Sequence, residues 1–282
     1  MRHECYFCIT KTVEKLINKF EPKPEVAEDF VFSVHQLLGE NRNMANPYLA
    51  TRVHRLAKEK LNHSNLYEQE KSQANNLLLD QYNHWKSVIE QADNPLHIAA
   101  KLAVIGNIID YGAHSVEDDI IAQIHSLHQQ DFKIDKTTEL IAKIKKAKRI
   151  LYLGDNAGEI VFDKLFIDTM QHHHVTYVVR GKSVINDVTF EDTKQTGLDK
   201  ICRVISNGYD APSTLVEYCS NEFRDEYNKA DLIISKGQGN FEGLLQRSQP
   251  NLYFMLIAKC KPMGELLGVT KGDMVVTNLK TD

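Results

Sequence analysis

Asp155 and Asn156 follow the short apolar run Ile150 to Leu153 after the single residue Gly154, and small residues and a helical pattern come after them. In an open parallel sheet the carboxyl ends of the strands border the ligand crevice, and adjacent Asp and Asn oxygens suit a hard divalent cation such as Mg²⁺ or Mn²⁺. The same pair also makes turns and N-caps, so a chemical reading needs partners from other strand ends. Three further endings supply them: Arg180-Gly181-Lys182 leading to Asn186-Asp187, Ser206-Asn207-Gly208, and Ser235-Lys236-Gly237-Gln238-Gly239-Asn240. Carboxylates from the first two endings can share one cation. Lys236 and the backbone N–H groups of the loop from Gly237 to Asn240 can hold a phosphate. Arg180 follows its strand directly and has the charge to bind a phosphate too.

Several phosphate chemistries fail on spacing. Gly181-Lys182-Ser183 looks like the tail of a P-loop, but the first glycine of that motif falls on Thr176. Gly237, Gly239 and Gly243 approximate a dinucleotide fingerprint with the last interval one residue too long. An aspartyl nucleophile of D-x-D-x-T type needs an Asp at position 185, where this chain has Ile185. No G-x-S-x-G elbow is present to support a nucleophilic serine.

The elements that must position these groups change character midway. From Thr10 to about Gln130 the chain is rich in Glu, Lys, Gln, Leu and Ala, which predicts helices, interrupted at Pro22 and Pro24, Asn46-Pro47 and Asn94-Pro95. Leu96 to Ile105 is apolar on nearly all sides and predicts a buried helix. After about Asp131, apolar runs at Ile150 to Leu153, Val175 to Val179, Ile201 to Ile205, Leu232 to Ile234, Tyr253 to Ile257 and Met274 to Val276 alternate with helical patterns. That rhythm predicts a mostly parallel, Rossmann-like sheet flanked by helices. The expectation is an α/β protein with a helical domain over 1–135 and an α/β domain over 136–282.

At 282 residues, 42% hydrophobic and 26% charged, the chain is long enough for a large core and has the balance of a soluble protein. A net charge of −4 gives no general attraction to nucleic acid, and no apolar run approaches the roughly 18 residues of a membrane span. The charged N-terminus lacks a following apolar segment, so a cytoplasmic location is expected. Five cysteines make an odd, sparse set without a disulfide framework; Cys5 and Cys8 alone have informative spacing, that of a redox pair or half a zinc site.

The motifs together resemble the metal-dependent damage-control phosphatases, formerly domain of unknown function 89. The resemblance rests on Gly154-Asp-Asn-Ala-Gly-Glu159, Arg180-Gly-Lys-Ser-Val-Ile-Asn-Asp-Val-Thr189, Asp210-Ala-Pro-Ser-Thr214 and Asp231-Leu-Ile-Ile-Ser-Lys-Gly-Gln-Gly-Asn-Phe-Glu242. Cys5-Tyr-Phe-Cys8 looks like the C-x-x-C of the prokaryotic branch; Ala103 to Gly112, Lys259-Cys260 and Leu267 to Asp273 extend the likeness over essentially the whole chain. It implies a helical domain packed on a three-layer α/β domain and one divalent metal (Mg, Mn, Co or Ni) held by Asp155, Asn156 and Asp187. It also implies that Lys236 meets the phosphate and that the reaction is hydrolysis of small phosphomonoesters such as sugar phosphates or damaged phosphometabolites. Asp187 is either a ligand or the group that orients the attacking water. The alternative activities are a methyltransferase using S-adenosylmethionine and a non-catalytic metal- or nucleotide-binding protein.

Asn107, Asp110 and His114 share one face of a helical pattern and either touch substrate or form a buried polar cluster. His172-His173-His174 reads as a solvated helix end, because adjacent residues do not all point to one centre.

Overall fold

The computed structural model describes residues 2–108, 119–247 and 249–279. Six helices come first: α1 (His3–Phe20), α2 (Pro24–Glu40), α3 (Asn46–Lys60), α4 (Glu68–Asp80), α5 (Tyr82–Glu90) and α6 (Pro95–Ile105). The proline breaks fall where the sequence places them. Pro24 and Pro95 each open a helix, where a missing N–H costs nothing, and the Asn94 side chain accepts from His97 N at 3.3 Å as the N-cap of α6. Helix α7 (Ile120–His128) completes the helical half. Asp110 and His114 lie outside the described residues.

The second half alternates: β1 (Ile134–Asp135), α8 (Thr137–Ile144), β2 (Ile150–Leu153), α9 (Glu159–Met170), β3 (Val175–Val179), α10 (Phe190–Thr196), β4 (Arg203–Ser206), α11 (Asn221–Lys229), β5 (Leu232–Lys236), α12 (Gly237–Leu244), β6 (Leu252–Ile257), α13 (Lys261–Leu267) and β7 (Met274–Thr277). The described strands form one sheet in the order β1-β7-β6-β5-β2-β3-β4, parallel throughout except where β7 runs against β6. The sequence rhythm does not announce β1, which is two residues long and reaches the sheet only through β7.

The sheet has three layers because its strands alternate. Ile150, Tyr152, Tyr177, Leu232, Ile234, Tyr253 and Met255 face a core built with α6 and α9, whereas Leu151, Leu153, Val178, Ile233, Phe254 and Leu256 face one built with α11, α12 and α13. Ala99 to Ile105 are all buried, as a helix apolar on every side requires. Helices α1 to α3 enclose a separate core around Leu16, Phe30 and Leu49.

The chain passes from β2 to β3 and β4 on one side, then crosses to β5 and β6 on the other. The topological switch point is therefore the junction of β2 and β5, where open α/β sheets bind ligands. Leu153 is in register with Val178 and with Ser235. Two residues further along, that register sets Asp155 level with Arg180 and Gly237.

Candidate functional site

The loop after β2 and the loop after β3 are stitched together by backbone pairing. Asn156 and Asp187 form an antiparallel bridge, Ala157 N donates to Asn186 O and Val188 N donates to Asp155 O, both at 2.8 Å. This pairing brings Asp155, Asn156 and Asp187 to the wall of one cleft of about 150 Å³, whose far wall is formed by α1 and α3. Ile185, two residues before Asp187, sits at φ +42°, a conformation that costs a β-branched residue energy, and packs against the α1–α3 core. The helical core thus pins the loop that carries Asp187.

At the switch point the backbone approaches Asp155 closely. Gly237 has φ +74°, and a Cβ there would lie 1.8 Å from Asp155 Oδ2, so only glycine fits. Asp155 Oδ2 accepts from Asn107 Nδ2 at 3.0 Å and from Asn156 Nδ2 at 2.9 Å. Asn156 spends its amide N–H on Asp155 and Glu159, and these contacts leave its carbonyl oxygen, the acceptor end, disengaged. Burial first, then the charges of Glu159 and Asp187, push the Asp155 carboxyl well above the usual carboxylate range, against Lys259 and Arg180.

Arg180 holds the arrangement from behind. Its Nε donates to Asp187 Oδ2 at 2.6 Å, Nη1 to Thr214 Oγ1 at 3.2 Å and Nη2 to Asn240 Oδ1 at 3.0 Å, and Nη2 lies 3.6 Å from Asp155 Oδ1. Asn240 in turn donates to Gly154 O at 3.1 Å and Lys236 O at 2.8 Å. The guanidinium therefore bridges both carboxylates and ties β2, β3 and α12 into one unit.

The structure brings the three expected metal residues together at the cleft and places the expected substrate residues elsewhere. Lys236 points away from the cleft: its side chain is fully buried, and its ammonium donates to Ala103 O at 2.8 Å, to Glu159 Oε1 at 2.6 Å and to Asp163. With three acceptors for three N–H bonds it has none left for a phosphate. Strand alternation is the reason, because Leu232, Ile234 and Lys236 share the face covered by α6 and α9. Asp163 also accepts from Tyr152 at 2.6 Å and Tyr177 at 2.9 Å, closing a buried network. Burial lowers the Lys236 pKa, but Asp163 and Glu159 outweigh it and the net shift is upward.

Arg180 and Asn240 face each other rather than the cleft, and Gly237 fits beneath Asp155. Asn107 is fully buried and bonds Asp155 and, at 2.8 Å, Glu159, so the polar-cluster reading holds for it; its Oδ1 has no hydrogen-bond partner among the described residues. His172 is half-buried and bonds Ala147 O at 2.9 Å, while His173 and His174 are exposed.

Lys259, Gln238 and Glu242 line the cleft and are absent from the expected set. Lys259 follows the end of β6, so the strand-end rule that singles out Asp155 reaches it too. Its backbone N donates to Gln238 Oε1 at 2.9 Å, joining it to the first turn of α12. Gln238 Nε2 donates to Glu242 at 2.9 Å, one turn further along the same helix.

A divalent cation fits this donor set. Among the described residues no three His, Cys, Asp or Glu side chains form a closed cage. Two carboxylates and an amide oxygen beside an open cleft match instead the habit of Mg²⁺-type ions, which take one or two carboxylates and complete their shell with water and substrate oxygens. No helix among the described residues is long and apolar enough to cross a membrane.

Comparison with known proteins agrees in extent and kind. The profile described as damage-control phosphatase ARMT1-like domain matches residues 1–275. An uncharacterized protein of Methanocaldococcus jannaschii is 32% identical over 287 residues, covering 98% of this chain and 94% of that one. A protein of Archaeoglobus fulgidus named damage-control phosphatase is 35% identical over 248 residues, 85% of each chain. The crystal structure of a domain-of-unknown-function-89 family protein from Pyrococcus horikoshii superposes with a TM-score of 0.87 at 27% identity, covering 99% of each chain. With its fold, its profile match over residues 1–275 and these relatives, the chain belongs to the damage-control phosphatase ARMT1-like family.

Proposed function

We propose that the protein is a divalent-metal-dependent phosphatase of small phosphomonoesters, with Asp155, Asn156 and Asp187 as the metal's protein ligands. The observation that carries this reading is the backbone pairing of Asn156 with Asp187, which fixes three hard oxygen donors at the switch-point cleft. The metal, when bound, supplies a Lewis acid for a phosphoryl oxygen and lowers the pKa of a water.

The chain's own residues do the rest. Arg180 fixes the direction of the Asp187 carboxylate through the 2.6 Å contact. Lys259, Gln238 and Gly239 line the same cleft, where the Lys259 ammonium and the N-terminal end of α12 are positioned to stabilise charge on the phosphoryl group. They take the role that the sequence places on Lys236. The walls of α1 and α3, with Ile9, Pro47, Ala50 and Val53, limit the space beyond the phosphate and favour a small metabolite. Substrates of the size of sugar phosphates or damaged phosphometabolites fit that limit.

Calorimetric titration of chelator-stripped protein with Mn²⁺ tests the ligand assignment. One ion per chain is expected, with binding lost in Asp155→Ala and in Asp187→Ala. Unchanged Mn²⁺ binding in both variants would remove the proposed site.

A further inference from the structure

A second cavity, of about 460 Å³, adjoins the cleft and shares Cys8, Asn46, Gln238 and Glu242 with it. Three cysteines line it: Cys5 and Cys8, one turn apart in α1, and Cys260, at the junction of β6 and α13. All three are half-buried thiols, open to a small reagent. The two elements already meet, because Arg2 beside α1 forms an ion pair with Glu265 of α13. The Cys5 thiol is pushed up first by burial and then by Glu242 and Cys260.

These groups do not form a metal cage, since no three His, Cys, Asp or Glu side chains converge on one point among the described residues. Oxidative pairing needs only two sulfurs. A bridge between Cys5 and Cys8 would have to draw side chains on one helix from about 5–6 Å between Cβ atoms to roughly 3.8 Å. A bridge from α1 to the β6–α13 junction works against no helix geometry.

We propose that Cys5 and Cys260 form a reversible disulfide that latches α1 onto the β6–α13 junction beside the cleft. A low-molecular-weight disulfide is the oxidant. The Cys260 thiolate attacks one of its sulfurs and releases one small thiol; the Cys5 thiolate then attacks the protein sulfur of the mixed disulfide and releases the second. Two protein thiols give up two electrons and two protons, and the small disulfide takes up both as two thiols. The latch reaches the cleft through Gln238, whose Nε2 lies 3.5 Å from Cys260 Sγ and whose Oε1 holds the backbone of Lys259. Oxidation withdraws the sulfur from Gln238 and fixes α1, which carries Cys8 on the cleft wall.

The test is to incubate the full chain with oxidised glutathione, block remaining thiols with iodoacetamide and map the peptides by mass spectrometry. Wild type and Cys8→Ser should yield a Cys5–Cys260 cross-linked peptide that dithiothreitol removes, and Cys260→Ser should not. The bridge closes a loop of most of the chain, so the oxidised wild type should unfold roughly 10 °C higher than the reduced protein. Glutathione adducts or a Cys5–Cys8 bridge without the Cys5–Cys260 peptide would overturn the proposal. So would a stoichiometric zinc ion in the protein as purified that is lost in Cys5→Ser. None of these readouts depends on phosphatase activity.

Discussion

Lys236→Met separates a structural role for this lysine from a role at the phosphate. The substitution removes the ammonium while keeping an unbranched side chain of similar length. It leaves Glu159 and Asp163 in a fully buried network without their cation, and Ala103 O without its donor. Breaking a buried ion pair from one side costs about 3–5 kcal/mol, out of the roughly 5–15 kcal/mol that holds an ordinary domain together. Urea unfolding followed by circular dichroism should therefore show a midpoint lowered by that loss divided by the slope, with the slope itself little changed, or a protein that fails to fold at 25 °C. Adding Glu159→Gln and Asp163→Asn to the same chain removes the stranded charges and should recover part of the loss. If Lys236→Met retained its stability to within about 0.5 kcal/mol and lost only turnover, the buried-network account would be refuted and the lysine returned to the substrate.

Three further outcomes follow from the same geometry. Gly237→Ala should cost about 1–2 kcal/mol for its left-handed backbone and, by forcing Asp155 aside, abolish Mn²⁺ binding; calorimetric titration showing normal affinity would contradict the close approach at the switch point. Arg180→Lys keeps the charge but loses the fork that spans Asp187, Thr214 and Asn240, so Mn²⁺ affinity should fall about 10–100-fold in equilibrium dialysis, and an unchanged affinity would make the fork dispensable. His54 is buried with its pKa pushed down to about 4, chiefly by burial, from an unfolded value near 6.5. The unfolded chain then binds the proton first as pH falls, so this residue's share of stability, on the order of 3 kcal/mol, is intact above about pH 6.5 and lost between there and pH 4. Urea midpoints for wild type and His54→Gln across that range should converge at low pH, and parallel curves would count against it.

The strands that carry the site were legible because each is a run of buried apolar residues ending in polar or glycine-rich chemistry. Val175 to Val179 has the same bounds in sequence and structure, and Ile150 to Leu153 likewise. β1 was illegible since two residues carry no period, and the reversed direction of β7 depends on a connection rather than on composition. At the site, strand ends point to Asp155 and Asp187 as carboxylates near enough to share a cation, and the resemblance supplies the set Asp155, Asn156 and Asp187; the structure brings the three to one cleft wall. The sequence pattern sets Lys236 at the start of a glycine-rich loop, whereas it is the last residue of its strand, where period-two alternation from Leu232 and Ile234 decides the direction of the side chain. Arg180 and Asn240 carry no signal of mutual pairing in the sequence, since what joins them is the register of β2 with β3 and β5. Lys259 obeys the strand-end rule, but its neighbours Ala258 and Cys260 lack the glycine that marks the other endings.

The most direct test of the account is phosphate release from a panel of sugar phosphates and one aryl phosphate by chelator-stripped protein. The assay is run with no metal and with Mg²⁺, Mn²⁺, Co²⁺ or Ni²⁺, for wild type, Asp155→Ala and Asp187→Ala. Turnover that appears only with added metal and falls at least 100-fold in both variants is predicted, a loss of about 2.7 kcal/mol in transition-state stabilisation. Turnover by the stripped enzyme without metal, or full turnover in either variant at saturating metal, would contradict the claim that these carboxylates hold the catalytic ion.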